Sequence, residues 1–182
     1  MIMYVEKGLE GTIVYKSPTA ALAWSVVMTG FGQIYNGHYL LGVFLFLFEV
    51  VVNGTSNINL SIVHSFLGDL EASHDVFDIQ WGLFYPSTYA FSMWHAYNTA
   101  MSINYQQQQK DPPKETYLTS FFIAFVIGMN LGVYYHDRFF STSFFLLGSP
   151  IFSGLFFGVL VGFIAHFIEK RFKKRRKKAV PT

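Results

Sequence analysis

The sequence predicts an all-α fold: a polytopic membrane helical bundle with about five spans, or four if the first apolar segment is interfacial. Three observations predict it. Hydrophobic residues fill 52% of the 182 positions and aromatic residues 19%, with 21 Phe, while charged residues fill only 13%; a soluble domain carries about 25% charged residues. The apolar residues fall into stretches close to the roughly 20 residues that cross a bilayer. The charges are segregated. Lys170, Arg171, Lys173, Lys174, Arg175, Arg176, Lys177 and Lys178 are eight of the 13 basic residues, and residues 1–169 hold five bases against all 11 acids, a net of −6. Such a composition excludes a disordered chain. With no Cys in the chain, disulfides, thiolate catalysis, Cys-ligated zinc and iron–sulfur clusters are excluded as well.

The elements follow in order. Residues 1–16 read as an N-terminal interfacial segment. Its opening, M-I-M-Y-V-E-K-G-L-E-G, lacks a basic start followed by a long apolar core, so no cleavable signal peptide is expected. Ser17-Pro18 is a helix start, a capping hydroxyl followed by Pro at the first helical position. From Ala20 to Ile34 the chain is apolar or small, which makes a first span; Gly30, Gly32 and Gly37 then mark a tight turn. A second span runs from Tyr39 to Val52, so residues 17–53 form a compact helical hairpin.

Residues 54–80 read as an extracytoplasmic loop. They hold no Lys or Arg but contain Asp69, Glu71, Asp75 and Asp78. Leu60, Ile62, Val63, Phe66, Leu67 and Leu70 recur at helical spacing, which predicts a short amphipathic helix on the interface. Residues 81–168 form a three-span bundle. Its spans are Gly82–Met101, with Pro86 inside, then Tyr117–Tyr135 and Pro150–Ile168. The linker from Tyr105 to Glu115 contains two prolines that stop a helix. His136-Asp137-Arg138 is a polar turn, and Phe139–Leu147 is aromatic-rich and interfacial. Residues 169–182 are the basic tail. A basic run can bind nucleic acid, but this one directly follows an apolar span. It reads as a cytoplasmic anchor meeting anionic headgroups, and no nucleic-acid partner is expected. With the tail inside, Lys110 and Lys114 of the linker also fall inside and the acidic loop outside, in line with the positive-inside rule.

Small residues predict the packing. Gly154, Gly158 and Gly162 form a stripe on the fifth span, and Ala124, Gly128 and Gly132 form one on the fourth. Lipid provides no hydrophobic drive for helix association, so close approach through small residues matters; the two stripes are expected to face each other, the alternative being a homodimer or partner contact.

Glu49 is the one formal charge within the proposed spans. An intramembrane carboxylate must be protonated, paired or turned to a polar cavity, and Tyr85, Ser87, Tyr89 and Asn130 are candidate neighbours. Either it lies on an ion or substrate path or at a partner contact, or it reaches the headgroups from the end of a short span. A cytoplasmic cluster of Gln33, Tyr35, Asn36 and His38 with His95, Tyr97, Asn98 and His166 can bind metal or protons, or simply anchor helix ends. Asp69, Glu71, His74, Asp75 and Asp78 could hold a divalent cation but match no fixed coordination spacing. Asn53-Gly54-Thr55 and Asn59-Leu60-Ser61 are glycosylation sequons. G-F-G-Q-I-Y-N-G fails as a nucleotide motif: Tyr35 replaces the third Gly of the dinucleotide fingerprint, and His38 replaces the P-loop Lys. No nucleophile, base and orienter stand at recognisable spacing, so neither enzymatic activity nor a cofactor is expected.

The stretch S-P-T-A-A-L-A-W-S-V-V-M-T-G-F-G-Q-I-Y-N-G-H-Y-L-L-G resembles the bacterial two-transmembrane-helix hairpin families. The likeness covers residues 17–53. It implies a cytoplasmic turn, with Gln33-Ile34-Tyr35 standing where better-known relatives carry Asp-Arg-Phe; family function is mostly unknown. A weaker likeness, from Gly30 to about Ala100, is to the N-terminal region of sugar-type ABC permeases. Those are longer and carry an ATPase-docking loop that is missing here, which implies an accessory subunit rather than a complete permease. The expected function is a non-enzymatic accessory, assembly or partner-binding subunit of a membrane complex, its partner another membrane protein or a second copy. The alternative is a transport component using Glu49.

Overall fold

The computed structural model describes residues 4–5, 13–111, 116–139 and 145–179. Among them, β1 (Tyr4–Val5) and β2 (Ile13–Val14) make one two-residue antiparallel ladder, and the rest of the ordered backbone is helical. The helices are α1 (Pro18–Val27), α2 (Phe31–Tyr35), α3 (Tyr39–Ser56), α4 (Ile58–Leu67), α5 (Leu70–Val76), α6 (Ile79–Gly82), α7 (Tyr85–Gln107), α8 (Thr119–Tyr135) and α9 (Pro150–Ala179), with 3₁₀ turns at His136–Phe139 and Phe145–Gly148. Among the described residues, three stretches are long and apolar enough to cross a membrane: Tyr39–Ser56, Thr119–Phe139 and Pro150–Arg175.

Several elements differ from expectation for local reasons. The segment from Ala20 to Ile34 is not one helix. Met28 is extended (φ −158°, ψ 132°) and Gly30 is left-handed (φ +92°), which splits it into α1, of 10 residues, and α2, of five. A 10-residue helix is about 15 Å long, half the roughly 30 Å hydrocarbon core. Residues 54–80 hold three short helices instead of one. Asn57 (φ 54°) and Gly68 (φ +79°) break the path, and Leu70 opens α5 as a buried residue rather than joining the apolar face of α4. The basic tail does not begin a new segment, because α9 continues unbroken through Lys170, Arg171, Lys173, Lys174, Arg175, Arg176, Lys177 and Lys178. Apart from Tyr4–Val5, the N-terminal stretch read for a signal peptide lies outside the described residues, as do the prolines of the linker and the centre of the 139–147 segment.

The chain divides into two compact units, residues 1–47 with 91–117 and residues 48–90 with 118–182, so α3 and α7 contribute to both. The first unit is built on close backbone approach. Ala21, Ala96 and Ala100 are fully buried together, with Tyr35 packed against them. A Cβ on Gly30 would overlap the carbonyl oxygen of Gly42, and one on Gly32 would overlap Ala21 O and Ser25 Oγ. Gly30 is therefore required twice, by its positive φ and by its contact.

The second unit is dominated by α8 against α9. A Cβ on Gly132 would lie 2.9 Å from Gly154 Cα, and one on Gly128 would lie 3.0 Å from Gly158 Cα. Numbers rise on one helix as they fall on the other, so the pair is antiparallel and the two glycine stripes do face each other. Gly162 continues the seam against the Phe121 ring, and Ala124 is half-buried on α8.

Burial is inverted relative to a water-soluble fold. Among the described residues, 14 polar side chains are buried, nearly as many as the 15 apolar ones, prolines included. Leu155, Phe156, Leu160, Phe163, Ile164 and Phe167 of α9 are all exposed, as are Leu40, Phe44 and Leu47 of α3. Soluble proteins rarely expose such continuous apolar surface.

Candidate functional site

In the first unit the G-x-G-Q-x-Y-x-G turn is bound to α7 by its own polar groups. Gln33, fully buried, donates from Nε2 to Ser92 O at 2.8 Å and accepts from Ser92 Oγ at 3.0 Å, while Ser92 Oγ accepts the Gly30 N–H at 3.1 Å. Asn36 Nδ2 donates to Ala96 O at 2.7 Å, and its Oδ1 is buried without a hydrogen-bond partner. Tyr35 accepts the Ser17 N–H on its hydroxyl at 3.0 Å; its carbonyl accepts from Lys16 Nζ at 2.8 Å, and the same ammonium lies 5.0 Å from its ring centre. Asn104 closes the arrangement, accepting the Lys16 N–H at 2.9 Å and donating to Lys16 O at 2.6 Å. His38 meets His95 edge-on at 5.6 Å, and His95 Nδ1 is 3.5 Å from Gln33 Nε2 and 3.4 Å from Thr99 Oγ1. Gly37 (φ +91°) faces open space. Asn98 instead ties Tyr117, accepting its N–H at 2.7 Å and donating to its carbonyl at 3.1 Å. The polar groups of the turn thus engage carbonyls of α7 and the Ser92 hydroxyl, which fixes the geometry of the turn.

In the second unit Glu49 is buried, at 7% exposure, and Tyr85 donates its hydroxyl to Oε1 at 3.1 Å. Tyr89 stacks on Tyr85 with ring centres 5.3 Å apart. Ser87 is exposed, and Asn130 is half-buried on α8 with Oδ1 lacking a hydrogen-bond partner. His166, on α9, has its Nδ1 buried and without a hydrogen-bond partner.

A second polar cluster in this unit was not expected from the sequence. Ser61, Ser65, Ser73 and Ser149 are all at most 2% exposed. Ser61 Oγ lies 2.8 Å from Ser73 Oγ, Ser73 Oγ 2.8 Å from Ser65 Oγ, and Ser65 Oγ 2.6 Å from Ser149 Oγ. Ser149 Oγ accepts the N–H groups of Ile151 and Phe152 at 3.1 and 3.2 Å, capping α9. Its acceptor capacity is taken, so its own proton points to Ser65. The signal was the i, i+4 pair Ser61 and Ser65 inside an apolar segment. Because α4 turns these hydroxyls inward, Leu60, Val63, Phe66 and Leu67 face outward. Ser61 belongs to a sequon, but its hydroxyl is engaged within the fold, and Asn53 of the other sequon is half-buried inside α3.

His74, of the acidic loop, pairs with His136 of the polar turn, Nδ1 to Nε2, at 2.7 Å. His136 Nδ1 lies 2.5 Å from Val133 O. A carbonyl cannot donate, so Nδ1 carries the proton and Nε2 accepts from His74. Among the described residues, no group of three or more His, Cys, Asp or Glu is placed to hold a metal. On the tail, Lys173 pairs with Glu169 at 2.7 Å, and Lys170, Arg171, Lys174 and Arg175 are exposed; the side chains of Arg176, Lys177 and Lys178 lie outside the described set.

Comparison with known proteins finds no matching family model, no matching curated protein and no matching solved structure.

Proposed function

We propose that this chain is a multi-pass integral protein of a cell membrane that acts without enzymatic chemistry, as an accessory, assembly or partner-binding subunit of a membrane complex. The observation that carries this reading is the inversion of burial: hydroxyl, amide and carboxylate groups lie inside and large apolar side chains outside. That distribution suits a bilayer, where every polar group needs an internal partner. In this reading five segments cross or enter the membrane, namely α1 with α2, then α3, α7, α8 and α9. The basic end of α9 is cytoplasmic and meets anionic headgroups. The resemblance of residues 17–53 to the two-helix hairpin families belongs to the same proposal. A non-catalytic role is supported by the turn motif, whose polar groups serve the fold.

Mild-detergent co-purification followed by mass spectrometry tests the role. Recovery of a second membrane protein, or of a stable homo-oligomer, is expected; purification as a lone monomer counts against it. A single engineered Cys near the N-terminus of this Cys-free chain tests the span count. Labelling by an impermeant thiol reagent only after permeabilisation sinks the five-span reading.

A second reading, a transport component, is favoured by Glu49, a buried carboxylate within an apolar helix held by a Tyr hydroxyl. Glu49→Gln separates the two: lost flux with normal assembly supports transport, and lost assembly supports the subunit role.

A further inference from the structure

In α5 the Ser73 hydroxyl is locked into the serine chain, while the next residue, His74, reaches the 3₁₀ turn that follows α8. There His136 is 4% exposed, and its ring centre lies 4.9 Å from that of His74, which is itself exposed. The exposed ring gives the buried one a route to protons of the solvent. Because His136 Nδ1–H is spent on the Val133 carbonyl, the contact between the rings is made by His74 Nδ1 and His136 Nε2, 2.7 Å apart.

The proton count of this contact is restrictive. An imidazole nitrogen donates when protonated and accepts when not. With both rings neutral, His74 donates and His136 accepts. One added proton keeps the bond, since whichever ring is cationic donates to the other, and a charge-assisted bond is the stronger kind. A second added proton puts a hydrogen on both facing nitrogens. The bond is then lost and two cations oppose each other.

We infer that the His74–His136 pair is an acid-released clasp between α5 and the turn after α8, closed while the pair carries no added proton or one, and open when it carries two. The closed form excludes the second proton and the open form takes it, so falling pH favours the open form. Ser61 still donates to the Ser73 carbonyl when the clasp opens, so α5 loosens in place rather than detaching. The clasp operates in detergent as in a bilayer and does not depend on the subunit role.

The other charges near the pair are few. Asp137 adjoins His136 in its turn, and Arg138 stands over the Tyr135 ring. α5 carries Glu71 and Asp75, and Asp69 caps it by accepting the Ala72 N–H. α4, packed on α5, carries His64. α8 and residues 139–165, which include the second 3₁₀ turn and the start of α9, contain no Asp, Glu, Lys, Arg or His.

The test places one nitroxide on the full, Cys-free chain at Glu71→Cys, an exposed position of α5, and follows its mobility in detergent from about pH 8 to about pH 4.5, a range that spans the ordinary imidazole pKa of about 6.5. Loss of one hydrogen bond and repulsion of two unit charges at this separation predict at least about a tenfold rise in the ratio of mobile to immobile signal in acid. His74→Gln supplies a donor and an acceptor but takes no proton, so the label stays immobile, apart from whatever the Asp69 cap contributes equally to the native sequence. His74→Ala removes the clasp and leaves the label mobile at every pH. Equal acid responses with and without His74→Gln assign the loosening to the carboxylates and overturn the clasp. An unchanged signal in acid with His74 present overturns it too, as does a His74→Ala label that is as immobile at neutral pH as the native one.

Discussion

Replacing Gly132 by Ala puts a methyl group where α9 already stands. The added carbon lies 2.9 Å from Gly154 Cα, 2.7 Å from the Ser153 carbonyl carbon, and closer still to that carbonyl oxygen. Carbon atoms settle at about 3.5–4.0 Å, so α8 and α9 must part by roughly 0.5–1 Å, and neither obstacle is a side chain that can swing away. Overpacking of this kind costs about 1–3 kcal/mol, against a helix-propensity gain of at most about 1 kcal/mol. Because both obstacles are backbone, the cost falls at the upper end, about 2–3 kcal/mol, and a net loss of about 1–2 kcal/mol follows. Gly54 supplies the internal control. It sits in α3, and a Cβ there meets nothing within 4 Å, so Gly54→Ala keeps only the propensity gain, about 0.5–1 kcal/mol. Unfolding by titrated denaturing detergent, followed by far-ultraviolet circular dichroism, should place the two variants on opposite sides of the native protein. If Gly132→Ala is as stable as the native chain or more so, the glycine seam is not what sets the α8–α9 distance.

Other variants probe the buried polar groups. Ser65→Ala removes the acceptor of the Ser149 proton and should cost about 1–3 kcal/mol; a double-mutant cycle with Ser149→Ala should show coupling of at least about 0.5 kcal/mol, and simple additivity would contradict the serine chain. Tyr85→Phe removes a donor to Glu49 and should destabilise by about 1–2 kcal/mol, whereas Glu49→Gln keeps an acceptor oxygen and should change stability by less than about 1 kcal/mol. Equal melts for the two variants would show that the Tyr85–Glu49 bond does not matter to folding. Gln33→Leu leaves the Ser92 hydroxyl without its Gln33 acceptor and should lower thermal stability by about 1–3 kcal/mol; an unchanged melting temperature would mean that the turn does not depend on α7.

Some of this was legible in the chain because a period encodes it directly. Small residues four apart on two neighbouring spans specify a seam, and the seam is where that spacing put it. Glu49 was equally visible, since one charge in an apolar stretch has few places to go. The break at Gly30 was only half visible: Gly30, Gly32 and Gly37 marked a turn, but the span was carried through to Ile34, because the positive φ answers a backbone contact with Gly42 that forms only in the folded chain. The serine cluster was hidden for another reason. Ser is small and nearly neutral in hydropathy, so an averaging window passes over it, and three of its members meet a fourth 84 positions away from Ser65. The continuity of α9 was masked by its charges: Lys and Arg are good helix formers, yet a run of them reads first as a solvated tail.

That continuity has a mechanical consequence. A 30-residue helix is a rod roughly 45 Å long, and this one is pinned at one end by the Ser149 cap and within its first third by Gly154 and Gly158. Tilting such a rod by about 10° around its capped end sweeps the far end through about 8 Å. Whatever pulls on the cationic terminus, a membrane surface or a neighbouring protein, therefore acts as a torque on the glycine contacts, and a repacking of those contacts swings the terminus in return.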